Sequence, residues 1–392
     1  MPHHLRVALL IESSRGYGRK LLQGIAAYAR THGSWAFFHE ERDLGAPLPK
    51  DLKQWQPEGI IGRLSGKRLI GQVRKLGLPT VDLYHEDDTQ DIPGVAAHQA
   101  ALVALAVEHF LERGFRHFAY CGLPGVMFSD LRAVRFQEAL AARDFRADRF
   151  RCRHLPPGAP LAKVETSVMR HSGELAAWLQ GLPKPVALLA CNDMRGHQVM
   201  NVCDEAGIRV PDEVAVLGID NDDVQCELCN PPLSSVDPNI ERIGYEAAAL
   251  LDGMIQGQPP PRTRILVQPR GVVTRGSTDV LAIANREAAQ AIQLVRREAC
   301  EPGLKIDDLL ASLEFSRATL NRWFRKWLGR SPIEEIARVR LNQVKDLLAT
   351  TSLPLEDIAP RCGFQHVESM CRMVKRVTGQ TPGEYRKLTR SK

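Results

Sequence analysis

Apolar residues along the first 280 positions come in short runs separated by longer stretches that carry one apolar face. "RVALLIE" (6–12) reads as a strand, and the "GYGRKLLQGIAAYARTHG" that follows sets Leu21, Leu22, Ile25 and Tyr28 on one side of a helix. Further strand-like runs are "WAFFHE", "GIIGRL", "TVDLYHE", "HFAYCGL", "VALLACND" and "VAVLGID". Helical patterns such as "HQAALVALAVEHFLERG" and "DMRGHQVMNVCDEAG" lie between them, each stopped by a glycine. Apolar strands alternating with helices predict a parallel sheet covered on both faces.

At 392 residues the chain is too long for one ordinary core. The patterning predicts an α/β domain over 1–280, a linker and first helix over 281–300, and an all-α unit over 285–392. No apolar run approaches the roughly 18 residues of a membrane span, and the stretch at 7–11 is too short for a signal peptide. A cytoplasmic protein is expected. Nine irregularly spaced cysteines fit reduced thiols. Cys226 and Cys229 form a lone pair without the further ligands zinc requires, so neither metal nor cofactor is expected. The net charge of +6 is uneven: residues 286–392 hold 20 Lys/Arg against 13 Asp/Glu, a net +7. Such a tail fits a nucleic-acid-binding module or a solvated basic face.

Ligands of parallel sheets sit beyond the carboxyl ends of the strands. Those ends carry Glu12, Tyr84, Asn192, Asp193, Asp220 and Asn221, with Tyr17 between Gly16 and Gly18 and Arg195 one turn into its helix. Carboxylates, amides and a guanidinium together suit a polyhydroxylated ligand, whose hydroxyls both donate and accept. Asn192, Asp193 and Asp220 equally suit helix caps. An enzyme is a rival reading, yet His85, His98 and His197 come with no nucleophile elbow, P-loop or metal-ligand spacing. A sugar carrier is the other, and the doubled basic helices described below count against it.

"LRAVRFQEAL", "VALLACNDMRGHQVM", "GIRVPDEVAVLGIDND", "LSSVDPNIERIGYEAAALLDGMIQGQ" and "RILVQPRGVVTRGST" resemble successive blocks of the LacI-type sugar-sensing domain, a relative of periplasmic binding proteins. The likeness runs from about residue 6 to 278. It implies two α/β lobes around a cleft, with the chain crossing near Leu123, near Ser234 and Ser235, and near Gln268. It also implies Arg132 as an anchoring arginine and Asp193 and Asp220 as polar contacts. Arg135 replaces the family's small residue, so either Arg132 or Arg135 faces the cleft. With the sensor pattern starting at about residue 6, no LacI-type DNA-binding headpiece is expected, and DNA contact is expected elsewhere.

The last quarter contains one unit twice. At an offset of 50, Leu320 meets Met370, Arg322 meets Arg372, Gly329 meets Gly379 and Pro332 meets Pro382. In each copy a turn, 313–315 in the first, precedes a second helix, which Ser316 caps in the first copy. Helical spacing puts Leu320, Trp323, Phe324 and Trp327 on a buried stripe and Ala318, Asn321, Arg322 and Arg325 opposite. The second copy gives Met370, Met373, Val374 and Val377 as stripe, with Glu368, Cys371, Arg372 and Lys375 outward. A short polar and basic outward set suits a helix that enters a major groove. Arg322 and Arg372 suit guanine or phosphate, Asn321 adenine, and Glu368 cytosine N4. Surface ion pairing in a helical bundle is the bland alternative. Between the copies, Ile333, Ile336, Arg340, Val344 and Leu348 align on a rod able to hold two readers about 34 Å apart.

"IAPRCGF" and the following "GQTPGEYR" are similar to the AraC-type DNA-binding domain over 307–386. Departures are His366, Met370 and Val374, and Glu335 at the aromatic position that Tyr385 fills in the second copy. A LacI-type sensor followed by an AraC-type reader resembles the bacterial regulators of pentose operons. That likeness implies transcriptional activation in response to D-xylose, with operator DNA and RNA polymerase as partners. A homodimer through the sensor is expected, with the helix at 286–299 coupling sensor to readers.

Overall fold

The computed structural model describes residues 4–84, 91–151, 172–262, 264–283, 285–304, 306–311 and 315–389. His85 and the 313–314 part of the first reader's turn lie outside these residues. The first lobe follows the sequence pattern closely. β1 (Leu5–Leu10), α1 (Gly16–His32), β2 (Trp35–Phe38), α2 (Leu52–Trp55), β3 (Gly59–Gly62), α3 (Lys67–Arg74) and β4 (Thr80–Asp82) build a parallel sheet of order β2-β1-β3-β4. β5 (Val95–Ala97) completes this lobe at its edge.

The second lobe comprises α4 (Gln99–Glu112), β6 (His117–Cys121), α5 (Met127–Ala141), β7 (Ala147–Arg149), α6 (Ser172–Gly181), β8 (Val186–Ala190), α7 (Asp193–Glu205), β9 (Val214–Ile219), α8 (Asp223–Glu227) and β10 (Ser234–Asp237). α9 (Ile240–Ile255) then returns to lie along α1. Gly24 and Gly244 permit that contact: a Cβ on Gly24 would stand 1.9 Å from the Glu241 carbonyl oxygen, and one on Gly244 2.1 Å from that of Leu21. β11 (Ile265–Val267) pairs with β5, and β12 (Gly271–Val273) runs antiparallel to β10. The second sheet has the order β12-β10-β9-β8-β6-β7.

Two expected crossings shift. The first lies at His98, not near Leu123, because β6 already pairs with β8 in the second sheet. An apolar run announces a buried strand without saying which sheet buries it. The second falls at 238–239, since Ser234–Asp237 is itself a strand of the second sheet. The third, at 268–270, lies where the sequence places it, between β11 and β12.

The remainder is helical. α10 (Arg286–Glu298) is capped by Asn285, whose Oδ1 accepts from Ala288 N. α11 (Ile306–Ala311) and α12 (Arg317–Leu328) form the first reader, and α12 is capped by Ser316. α13 (Pro332–Thr350) starts with Pro332 at its first position and a reciprocal Ser331–Glu334 capping box. α14 (Leu355–Arg361), α15 (Val367–Thr378) and α16 (Pro382–Thr389) form the second reader. Gly329 and Gly379 end the equivalent helices at φ of 70° and 74°, the left-handed geometry a helix stop demands. Ala288, Ala291, Ile292 and Val295 of α10 are buried in the first reader's core beside Leu320 and Phe324.

Two stripe positions are corrected. Ile333 is 62% exposed because the covered side of α13's first turn is the one carrying Pro332 and Glu335, where Arg296 of α10 binds Glu335. Val377 is 56% exposed, whereas its counterpart Trp327 is half-buried against the first reader's core. Ile336, Val344 and Leu348 are buried as expected, as are Met370 and Val374.

Candidate ligand cleft and nucleic-acid interface

A cavity of about 440 Å³ opens between the lobes, within the usual range for small-molecule sites. The first lobe contributes Tyr17, Arg63 and Tyr84, the crossing His98 and Gln99, and the second lobe Phe128, Arg132, Asp193 and Asp220. Arg132, on α5, is almost fully buried. It donates from Nε to Gln99 Oε1 (3.0 Å) and from Nη1 to the Cys191 carbonyl, and its Nη2 is 3.7 Å from Asp220 Oδ1. Arg135 turns outward to Glu138 at the cleft's mouth. Of the two arginines, Arg132 is the one buried at the cavity wall.

Asn192 both lines the cavity and caps α7, its Oδ1 accepting from Arg195 N. Asp193 is no simple cap: Oδ1 accepts from Ser235 Oγ (2.6 Å) and Oδ2 from Asp222 N (2.7 Å), which fixes the carboxyl at the cavity wall. Asp220 does not cap α8, since Asp222 performs that role. Asp220 and Asn221 instead hold φ of 120° and 48°, two consecutive non-glycine residues in a region side chains disfavour. Burial pushes both cleft carboxyls up. The Asp220 charge adds to the rise of Asp193, while Arg132, Arg63 and Lys20 oppose that of Asp220.

Other candidates sit elsewhere. Glu12 is buried and ion-paired with Arg63, so it supports the cavity without lining it. Arg63 lies 4.8 Å from the centre of the Tyr17 ring and 5.1 Å from that of Tyr84, a guanidinium held against two aromatic faces. Arg195 is directed away from the cleft, donating to Gln198 Oε1 and lying over Phe150. The Asn221 side chain accepts from Arg275 Nη2 (2.9 Å). Arg63 and Gln99 were missed by sequence reasoning. Arg63 follows β3 at its carboxyl end, where ligands gather, but it is embedded in the "GIIGRL" run and reads as part of the strand.

In the readers, Arg322, Arg325 and Ala318 are exposed and Asn321 half-exposed, opposite the buried Leu320, Trp323 and Phe324. Glu368, Arg372 and Lys375 are exposed and Cys371 half-buried on the equivalent face of α15. Neither Arg322 nor Arg372 packs inward.

Residues 107–278 match the periplasmic binding protein-like domain and residues 309–388 a helix-turn-helix domain. The chain is 30% identical to the xylose operon regulatory protein of Escherichia coli (strain K12), over 97% of this chain and 96% of that protein. The chain belongs to the XylR-type transcription regulators. Its likeness to the protein of the same name from Haemophilus influenzae is 27%, over 98% of each chain. This XylR-type chain also resembles the solved structure of the xylose-binding transcription activator xylR, with a TM-score of 0.62, 27% identity and full coverage of both chains. The lac repressor dimer shares the fold of the sensor (TM-score 0.55, 18% identity, 72% of this chain and 96% of that one). The family is non-enzymatic and binds DNA through its helix-turn-helix domain. No described helix of this XylR-type chain is long and apolar enough to cross a membrane. Among the described residues no cluster of His, Cys, Asp or Glu could hold a metal ion.

Proposed function

We propose that D-xylose binds between the lobes and changes how a dimer of this regulator holds operator DNA and RNA polymerase. The observation that carries this reading is the composition of the cavity. Arg132, Asp193 and Asp220 from one lobe face Arg63, Tyr17 and Tyr84 from the other. Charged forks can take adjacent hydroxyls, and the tyrosine rings offer flat apolar faces to a sugar ring. A ligand bridging both lobes favours the closed arrangement by its differential affinity alone. The relatives' names supply the pentose, and the cavity's chemistry suits it.

On the DNA side, Asn321, Arg322 and Arg325 of α12 and Glu368, Arg372 and Lys375 of α15 are the reading residues, with Ala318 and Cys371 beside them. α13, 19 residues and so about 28 Å long, spaces the two heads. A thermal-shift screen of monosaccharides tests the ligand. D-xylose should raise the melting temperature more than D-glucose, L-arabinose or D-ribose, by mass action on the folded state. A larger shift with another sugar reassigns the effector; no shift with any removes the sensing role.

A further inference from the structure

One helix runs from the cleft to the first reader. α4 begins at the crossing, where His98 caps it through a bond from Ala101 N to Nδ1 and Gln99 holds Arg132. Fourteen residues later, a distance of about 20 Å, its other end meets the helical domain. Glu112 pairs with Arg338 at 2.6 Å, and its carbonyl accepts from Arg296 Nη2. Glu108 lies 3.6 Å from Arg330. Behind these contacts is Glu335, fully buried at the position where the second copy has Tyr385. Its carboxylate binds Arg296 Nε (2.5 Å), Arg338 Nε and Nη2 (2.9 and 2.8 Å) and lies 3.0 Å from Arg330 Nε. Arg116, just past α4, donates to the Trp327 carbonyl at the end of α12. The second reader packs mainly on α13, with Gly363 also set against the Cys300 backbone in the turn after α10.

An aromatic residue at 335 could fill space but could not gather three guanidinium groups. A carboxylate there orients Arg338 and Arg330 toward the acidic end of α4, and buried ion pairs of this kind favour one register over others. We propose that Glu112 and Arg338, oriented by Glu335, are the positioning residues that lock the first reader to α4, so that the first reader follows the sugar cleft directly while the second follows through α13 and the turn after α10. The inference rests on the regulatory reading above for its ligand, but the residues of the lock lie outside the cavity.

The test uses the full chain in two arms. In ligand-free protein, hydrogen exchange should rise in α12 by roughly ten-fold in Glu112→Gln and stay unchanged in α15. In the second arm, a duplex selected from random DNA by the wild-type chain is titrated with and without D-xylose. Glu112→Gln should bring the ratio of the two affinities to within about two-fold of unity while D-xylose affinity is retained. Glu112→Gln with Arg338→Gln should go no further than Arg338→Gln alone, because Arg338 also serves Glu335. The proposal is overturned if exchange in α12 is unaltered, if both readers loosen equally, or if Glu112→Gln keeps the wild-type ratio. A wild-type chain that ignores D-xylose yet shows the α12-specific loosening rejects the effector and keeps the lock.

Discussion

Arg132 reaches Asp220 within the second lobe, Nη2 to Oδ1 at 3.7 Å, at the wall of the cavity the lobes share. That spacing exceeds a hydrogen bond, so each group retains capacity for a ligand hydroxyl. Removing the guanidinium leaves a buried carboxylate with a weaker partner set. Arg132→Ala should therefore weaken D-xylose binding by about 2–5 kcal/mol in calorimetry, with unchanged far-UV circular dichroism as the folding control.

Glu12 and Arg195 were both candidate contacts, and their surroundings assign them opposite outcomes. Glu12 fixes Arg63 against Tyr17 and Tyr84, so Glu12→Gln should cost about ten-fold in ligand affinity without touching the ligand. Arg195→Met should keep affinity within about two-fold, because its guanidinium serves Gln198 and Phe150. Equal losses in the two variants would contradict this division.

Glu335 predicts an acid sensitivity. Burial by itself would raise its carboxyl, but the hydrogen bond from Arg338 and the charges of Arg296, Arg338 and Arg330 outweigh burial and hold it at about 2. A depressed folded-state value stabilises the protein fully above the ordinary value of 4.5, and this contribution disappears as pH falls toward 2. Denaturant melts should show wild type exceeding Glu335→Gln by on the order of 3 kcal/mol at neutral pH. The gap should shrink between pH 4.5 and pH 2. A gap independent of pH would show that the carboxylate is not ionised in the fold.

Arg322→Ala and Arg372→Ala should each weaken binding to a selected duplex by about 1–3 kcal/mol while changing binding to random DNA little. Fluorescence anisotropy at fixed salt reads both. Equal loss on the two DNAs would make these arginines phosphate contacts.

Much of this architecture was legible because period and punctuation agree. β1, β3, β8 and β9 were continuous apolar runs, and Gly329 and Gly379 marked the repeated helix ends. The outward faces of α12 and α15 followed from helical spacing alone. What escaped was tertiary. Neither Ile333 nor Val377 could reveal from its helical angle which side of its turn the neighbours cover. The strand at His117–Cys121 could not announce which lobe it joined. Arg195 and Arg63 are both arginines near strand ends, and only the packing of Phe150 around one and of two tyrosines around the other separates them. Glu335 was visible as a departure from the repeat, but its three arginines come from 296, 330 and 338 and meet only in the fold.

The most direct measurement is the affinity of the full chain for its selected duplex, titrated at one salt concentration with and without saturating D-xylose. The account predicts that the sugar changes the dissociation constant by about ten-fold or more, and that Arg132→Ala abolishes the change. Identical affinities in the presence and absence of D-xylose and of every other monosaccharide tried would contradict it.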